Sequence, residues 1–333
     1  MQLDDLVDQF GRRAQDLRIS VTDRCNLRCV YCMPEKQAGW LARKDYLGAQ
    51  HIYRLVNVGL QLGIRDVRFT GGEPLLRPDL AKLISAAAKA FDEAGRPRRI
   101  ALTTNAIGLE RRLPELTDAG LQRINVSIDT LRPDRFALLT RRARFDDLLR
   151  GLEAVEQSAL SPIKINTVAV DYETLTEVGE LVRFCLQRGW QWRAIELMPI
   201  GPMRSAVAPT GAEILETLRS EFELVPRVGD DPHAPATTYT VAAGADHPAG
   251  VVGVIASMSE PFCTSCSRTR ISAVGRVYPC LFSPLHIELR EALESGTDEE
   301  IARLWQGVTR RKPAGHAWLP PVEAGMAMSK IGG

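Results

Sequence analysis

Between Leu17 and about residue 200, short β-favouring runs alternate with longer amphipathic ones. The strands this predicts are Leu17–Thr22, Val67–Thr70, Ile100–Thr104, Ile124–Ile128, Ile163–Ala169 and Ala194–Met198. Between them lie helical stretches. In 52–62 the residues Ile52, Leu55, Val56, Val58, Gly59 and Leu62 recur near a 3.6-residue period. Residues 80–91, 109–119, 145–155 and 175–186 follow, with Gly120 and Gly189 placed as C-terminal stops. Such β–α alternation argues for parallel strands joined by right-handed crossovers. Several strands are short apolar runs, as expected when both faces are buried.

The fold class expected is α/β: an incomplete TIM-like (β/α)6 barrel over residues 1–200, with a smaller C-terminal α+β domain, 201–333, closing the open side. An open doubly wound sheet is the alternative. In the second part, 209–221 reads as one capped helix, the Pro/Gly-rich stretch 226–250 as a long loop or irregular hairpin, 251–257 as a strand and 299–308 as a last helix. In such barrels chemistry sits beyond the C-terminal strand ends. Polar residues gather at those positions: Thr22-Asp23-Arg24-Cys25, Thr70-Gly71-Gly72-Glu73-Pro74, Thr103-Thr104-Asn105, Ser127-Ile128-Asp129, Asn166 and Glu196-Leu197-Met198-Pro199.

The 333 residues are 45% hydrophobic and 25% charged, ordinary for a globular chain. A net charge of +1 gives no broad field for nucleic acid or a membrane surface, so any anion site must be a local cluster of Arg and Lys. The N-terminus is acidic and not a signal peptide. No run approaches the roughly 18 apolar residues of a membrane span. Seven cysteines, an odd number, argue for reduced thiols and a cytoplasmic location rather than a disulfide framework.

Three of those thiols, Cys25, Cys29 and Cys32, fall in a C-x3-C-x2-C run after the first strand. A four-iron cluster takes one ligand per iron, so three thiolates leave one iron open for a small molecule. A zinc site would want a fourth ligand, and none lies close. Gly71-Gly72 at the next strand end allows a tight turn and close backbone approach to a ligand. Glu73 offers a carboxylate, and Pro74 begins a helix or turn. A second triad, Cys263, Cys266 and Cys280, again lacks an obvious fourth thiol. Here zinc is a stronger rival, because C-x2-C is a common half-site and His286 follows. Arg268 and Arg270 beside this triad instead suit phosphate oxygens, which a guanidinium binds in a bidentate fork. Cys185, within a predicted helix, reads as a buried structural thiol.

Together these stretches carry a resemblance. Leu17-Arg18-Ile19-Ser20-Val21-Thr22-Asp23-Arg24-Cys25 runs into the first triad, Gly71-Gly72-Glu73-Pro74 follows, and Phe262-Cys263-x-x-Cys266-x-Arg268-x-Arg270 and the tail Gly332-Gly333 complete the set. The first motif resembles the radical S-adenosylmethionine (SAM) superfamily. The whole set resembles its GTP 3′,8-cyclase family, which acts in molybdenum cofactor biosynthesis. The resemblance implies SAM and two 4Fe–4S clusters, on Cys25, Cys29 and Cys32 and on Cys263, Cys266 and Cys280. It implies SAM contacts at Tyr31, Gly72, Ser127 and Met198. GTP contacts are implied at Arg18, Arg68, Thr103, Lys164, Arg268, Thr269 and Arg270, with Arg193 a weaker candidate. Cys25, Cys29, Cys32, Arg268 and Arg270 form the catalytic set. The implied reaction takes hydrogen from C3′ of GTP and joins C3′ to C8 of guanine, giving 3′,8-cyclo-7,8-dihydroguanosine triphosphate. Cyclic pyranopterin monophosphate synthase would act next. The assembly implied is a homodimer, with no nucleic-acid or membrane partner. The alternatives are a radical SAM peptide maturase with an auxiliary cluster and a zinc-stapled nucleotide- or RNA-binding protein. Ser205 and the 226–250 stretch match no family residues.

Overall fold

The computed structural model describes residues 4–35, 39–203, 205–227, 233–316 and 328. The first part alternates strands and helices: β1 (Asp16–Ser20), α1 (Ala49–Gln61), β2 (Asp66–Thr70), α2 (Leu80–Glu93), β3 (Ile100–Thr104), α3 (Leu113–Asp118), β4 (Arg123–Ser127), α4 (Pro133–Thr140), α5 (Phe145–Glu156), β5 (Ile163–Ala169), α6 (Tyr172–Gln187) and β6 (Gln191–Glu196). The second part adds α7 (Gly211–Glu221), β7 (Leu224–Arg227), β8 (Thr237–Val241), β9 (Gly250–Ile255), β10 (Arg268–Ile271), β11 (Arg276–Tyr278), β12 (Ile287–Glu288), α8 (Arg290–Glu294) and α9 (Asp298–Arg310).

Among the described residues these strands make one sheet, in the order β12-β11-β10-β1-β2-β3-β4-β5-β6-β9-β8-β7. The six expected strands run parallel and in sequence, forming the partial barrel. The second part lengthens both edges of that sheet. β10 pairs parallel with β1, and β9 pairs parallel with β6. Antiparallel wings, β11–β12 and β8–β7, finish the two ends. The sheet is therefore continuous across residue 200. Part of the 226–250 stretch is the hairpin strand pair β7–β8, and residues 228–232 lie outside the described residues. So does the double-glycine tail.

The expectation of strands apolar on both faces needs correction. β1 and β2 read Asp-Leu-Arg-Ile-Ser and Asp-Val-Arg-Phe-Thr, with a period of two. Leu17, Ile19, Val67 and Phe69 join the core between sheet and helices, whereas Arg18 and Arg68 face the lumen. The apolar core thus lies outside the sheet, and the barrel interior is polar. Helix α1 buries Ile52, Leu55, Val56, Val58 and Leu60 in that outer layer, each large side chain stabilising the fold by roughly 1.5–3 kcal/mol. Trp305 of α9 covers β10 and touches Gly59 of α1, where a Cβ would come within 3.3 Å of the indole. Gly120 and Gly189 have positive φ, as expected of helix stops. The predicted 109–119 helix begins as a 3-10 turn, Leu109–Arg111. Helix α4 was not predicted at all. No helix among the described residues is long and apolar enough to cross a membrane.

At the end of β6, Glu196 ties the second part to the barrel. Its carboxylate accepts from the backbone N–H of Gly211 (2.5 Å), Met258 (2.6 Å) and Ser259 (3.0 Å). Burial raises its pKa, but those donors and the Ser259 hydroxyl outweigh burial and hold it below the usual carboxylate range. This stabilisation is present above the unfolded-state pKa and is lost as pH falls through the folded value. Glu196→Ala leaves these donors unpaired. It is expected to cost on the order of 3 kcal/mol, seen as a lower urea midpoint with an unchanged slope. An unchanged midpoint at pH 7 would refute the role.

Candidate active site

The lumen is a cavity of about 870 Å³ in which Arg and Lys outnumber Asp and Glu by ten to five among the lining residues. Strand register sets the cations in layers. Arg18 lies opposite Arg68 on one side and Arg270 on the other. Asp16 lies opposite Arg268, its Oδ2 3.7 Å from Arg18 Nε and 3.8 Å from Arg268 Nε. Burial pushes Arg68 down to about 10, and Arg193 and Arg270 to about 9, with neighbouring guanidiniums adding to the depression. Burial raises Asp16, but Arg18, Arg68, Arg268 and Arg270 together hold it below its ordinary value. Nε and Nη1 of Arg68 and Oδ1 of Asp16 are buried without a hydrogen-bond partner. Unpaired buried charge is costly, so this wall fits a ligand carrying several negative charges. Thr103, Lys164 and Arg193 also line the cavity, and Arg193 donates to Asn166 (3.0 Å).

Beyond the C-terminal end of β1, Cys25, Cys29 and Cys32 line the same cavity with Tyr31, Gly72, Ser127 and Met198. The unpredicted α4 helps pin this loop: Arg28 and Val30 donate backbone N–H to Thr140 and Leu139 carbonyls, both at 2.9 Å. The Leu27 N–H points at Cys25 Sγ (3.4 Å). Burial pushes the Cys25 thiol up to about 12, with Glu73 adding, and Cys29 well above its ordinary value, with Asp129 adding. Thiols so placed become ligands when a cationic group draws off their protons, as the irons of a cluster do. Tyr31 donates to Asp129 Oδ2 (2.8 Å), and Asp129 Oδ1 accepts from Val168 N–H (2.9 Å).

The glycine pair also admits the chain's own backbone. A Cβ on Gly71 would lie 2.4 Å from Thr22 O, and one on Gly72 2.2 Å from Arg24 O. The close approach is to the chain itself, where Gly72 and Glu73 donate to Thr22 and Arg24 carbonyls (2.8 and 2.7 Å). Pro74 opens a 3-10 turn, as expected. The Glu73 carboxylate accepts from Leu75 N–H (3.0 Å), Thr104 Oγ1 (2.7 Å) and Asn105 N–H (2.8 Å), and burial pushes it up to about 7.

The second triad also lines the lumen. Cys263 sits on a 3-10 turn, Phe262–Ser265, Cys266 just before β10 and Cys280 just after β11. Lys312, only 4% exposed, donates to Cys266 Sγ (3.4 Å), Cys266 O (3.0 Å) and Arg268 O (2.8 Å). Burial raises the Cys266 thiol, but Lys312 and Arg268 bring it down to about 7. Arg268 lies over the Phe262 ring at 4.5 Å. His316 Nδ1 stands 3.6 Å from Cys263 Sγ and its ring stacks on Phe282. His286, the zinc partner considered from sequence, packs on Tyr278 and does not line the cavity. Among the described residues no three His, Cys, Asp or Glu side chains converge on a single metal ion. A cluster assigns each thiol to its own iron.

One predicted contact is misplaced. Thr269 does not line the lumen; its Oγ1 accepts from Trp305 Nε1 (3.1 Å) on the helix side. Alternation along β10 sends Arg268 and Arg270 inward and Thr269 outward. Cys185 is fully buried in the core, as expected. Asp16, Lys312 and His316 were missed, because a lone polar residue carries no spacing signal; Asp129 was noted at its strand end but given no role. His233, Ala234 and Pro235, from the stretch without a family match, also line the cavity.

The model for the Radical SAM superfamily matches residues 19–185, and that for Molybdenum Cofactor Synthesis C matches residues 190–318. The chain is 45% identical to a GTP 3′,8-cyclase of Mycolicibacterium smegmatis over 336 residues, covering 98% of this chain and 92% of that one. It is 45% identical to a GTP 3′,8-cyclase of Streptomyces coelicolor over 338 residues, covering 98% and 96%. Among solved structures, Streptococcus suis SuiB bound to S-adenosylmethionine matches with a TM-score of 0.62 at 14% identity, over 89% of this chain and 68% of that one. At that identity the likeness shows the fold alone.

Proposed function

Because the chain belongs to the GTP 3′,8-cyclase family of the radical SAM superfamily, we propose that it converts GTP to 3′,8-cyclo-7,8-dihydroguanosine triphosphate. The observation that carries this reading is the lumen itself: two cysteine triads on one cavity whose wall holds layered, buried and partly unpartnered guanidiniums. In this reading Cys25, Cys29 and Cys32 hold a cluster with SAM, and Cys263, Cys266 and Cys280 hold a second. The chemistry those groups supply is a one-electron cleavage of SAM whose radical takes hydrogen from C3′ of GTP, after which C3′ joins C8.

This chain's residues bind and orient. Arg18, Arg68, Lys164, Arg268 and Arg270 take the triphosphate, replacing self-repulsion with charge-assisted hydrogen bonds. Thr103 adds a GTP contact. Tyr31, fixed by Asp129, shapes the SAM end with Gly72, Ser127 and Met198. Residues 1–200 supply the radical-generating wall, and 201–333 the second triad and its arginines. We place the enzyme in the cytoplasm, as a homodimer, with cyclic pyranopterin monophosphate synthase consuming its product.

Anaerobic incubation with SAM, reductant and GTP, followed by mass spectrometry, is expected to give an isomer of GTP and 5′-deoxyadenosine. Anaerobically purified chain is expected to carry about eight irons, four per cluster. Zinc in place of iron, or unaltered GTP with full iron, would sink the reading.

A further inference from the structure

The lumen has a second mouth, at the N-terminal ends of the strands. Arg65 precedes β2 and Asp66 opens it, Arg99 precedes β3 and Arg123 opens β4, and all line the same cavity as the two triads. Arg65 and Arg99 are exposed, so the cavity meets bulk water there. That end lies opposite the loop of Cys25, Cys29 and Cys32 and is the one at which Cys266, just before β10, and Cys280, just after β11, stand. In barrels of this kind the N-terminal face ordinarily serves stability rather than chemistry, and its charges would then pair off as a neutral rim.

Here they do not pair off. Arg99 and Arg123 share one carboxylate, Asp66, at 3.0 and 2.6 Å. No carboxylate among the described residues pairs with Arg65. Level with Asp66, Asp16 stands opposite Arg268 with its Oδ1 buried and without a partner, and one layer further in lie Arg18 and Arg68. The carboxylates at the other end of the lumen, Glu73, Asp129 and Glu196, are all held by internal donors. The lining therefore carries excess positive charge that begins at the exposed rim and continues inward to the layered guanidiniums.

We propose that this mouth is the portal for a nucleoside triphosphate, drawn in by its phosphates, and that SAM uses the opposite end, beside Cys25, Cys29 and Cys32. The proposal rests on the reading that the lumen binds GTP. A low-dielectric channel lined by one sign of charge focuses the field and raises on-rates for an oppositely charged ligand, by tenfold or more at low ionic strength. Separate portals let nucleotide exchange while the end at Cys25, Cys29 and Cys32 stays occupied.

The test is stopped-flow binding of GTP and of SAM to the cluster-loaded chain. Two double variants are compared, Arg65→Glu with Arg99→Glu and Arg65→Trp with Arg99→Trp. In the Glu variant GTP association is expected to slow about tenfold at low salt, with the difference shrinking as ionic strength rises. In the Trp variant, which narrows the mouth, association and dissociation of GTP are both expected to slow. SAM association is expected to stay unchanged in both, which also reports an intact barrel. Normal GTP binding with unchanged rates in both variants overturns the portal alone. Absence of GTP binding by the wild-type chain overturns the cyclase reading and the portal with it.

Discussion

Cys263→Ala is expected to keep about four irons per chain and to cleave SAM, yet to make essentially no cyclised nucleotide. The two triads stand on separate elements. Cys25, Cys29 and Cys32 are on the loop after β1, held by backbone bonds to α4, whereas Cys263 is on a turn whose carbonyl accepts from Arg12 (2.6 Å). Removing one Sγ leaves that backbone hydrogen bond in place, so the first triad is not disturbed. It strips the second group of one of three protein ligands. The nucleotide beside that group then loses its positioning while the phosphate wall survives, and a reacting carbon displaced by about 1 Å costs on the order of a hundredfold in rate. Three measurements decide: iron per chain, 5′-deoxyadenosine formed and cyclised product formed. Wild-type product from the variant would show that the second triad has no part in the reaction. Loss of SAM cleavage would show that the triads do not act separately.

The barrel was legible because its strands and helices carry two different periods. The segments 52–62 and 80–91 repeat near 3.6 residues and bury that face, and the six intervening strands pair in sequence order. What the pattern hid was the lumen. β10, Arg-Thr-Arg-Ile, does not look like a strand, because a charged residue at every second position ordinarily marks a solvated edge. It is fully buried only because its other neighbours are the arginines and Asp16 of β1 and β2. The same alternation explains Thr269: the resemblance put it among the GTP contacts, but only pairing with β1 shows which way it faces. Lys312 follows Arg310 and Arg311 and reads as a solvated helix end, yet it reaches the Cys266 sulfur. Gly71 and Gly72 read as a place of close backbone approach, and the backbone they admit in the structure belongs to Thr22 and Arg24.

The arginines of β10 carry the second large effect, and they are not equivalent. Arg268 lies opposite Asp16, its guanidinium covers Phe262 beside Cys263, and its charge helps hold the Cys266 thiol low. Arg268→Ala is therefore expected to disturb both nucleotide binding and the second triad. Arg270 pairs in register with Arg18 and Tyr278, one layer away. Arg270→Ala is the cleaner probe, expected to weaken GTP binding by roughly 1.5–3 kcal/mol, about 10- to 150-fold, with SAM cleavage intact. Burial first, and then Arg18 and Arg268, bring its guanidinium down to about 9. A bound triphosphate favours the charged form and raises that value again. GTP binding to the wild type is thus expected to take up protons above about pH 8 and to weaken as pH rises through 9. In Arg270→Ala that alkaline loss is expected to shrink, while Arg193, also near 9, preserves part of it. Calorimetry in buffers of different ionisation enthalpy reads both the affinity and the proton uptake. Unchanged GTP affinity in both variants would remove the phosphate role from β10 and leave Arg18, Arg68 and Lys164 to carry it.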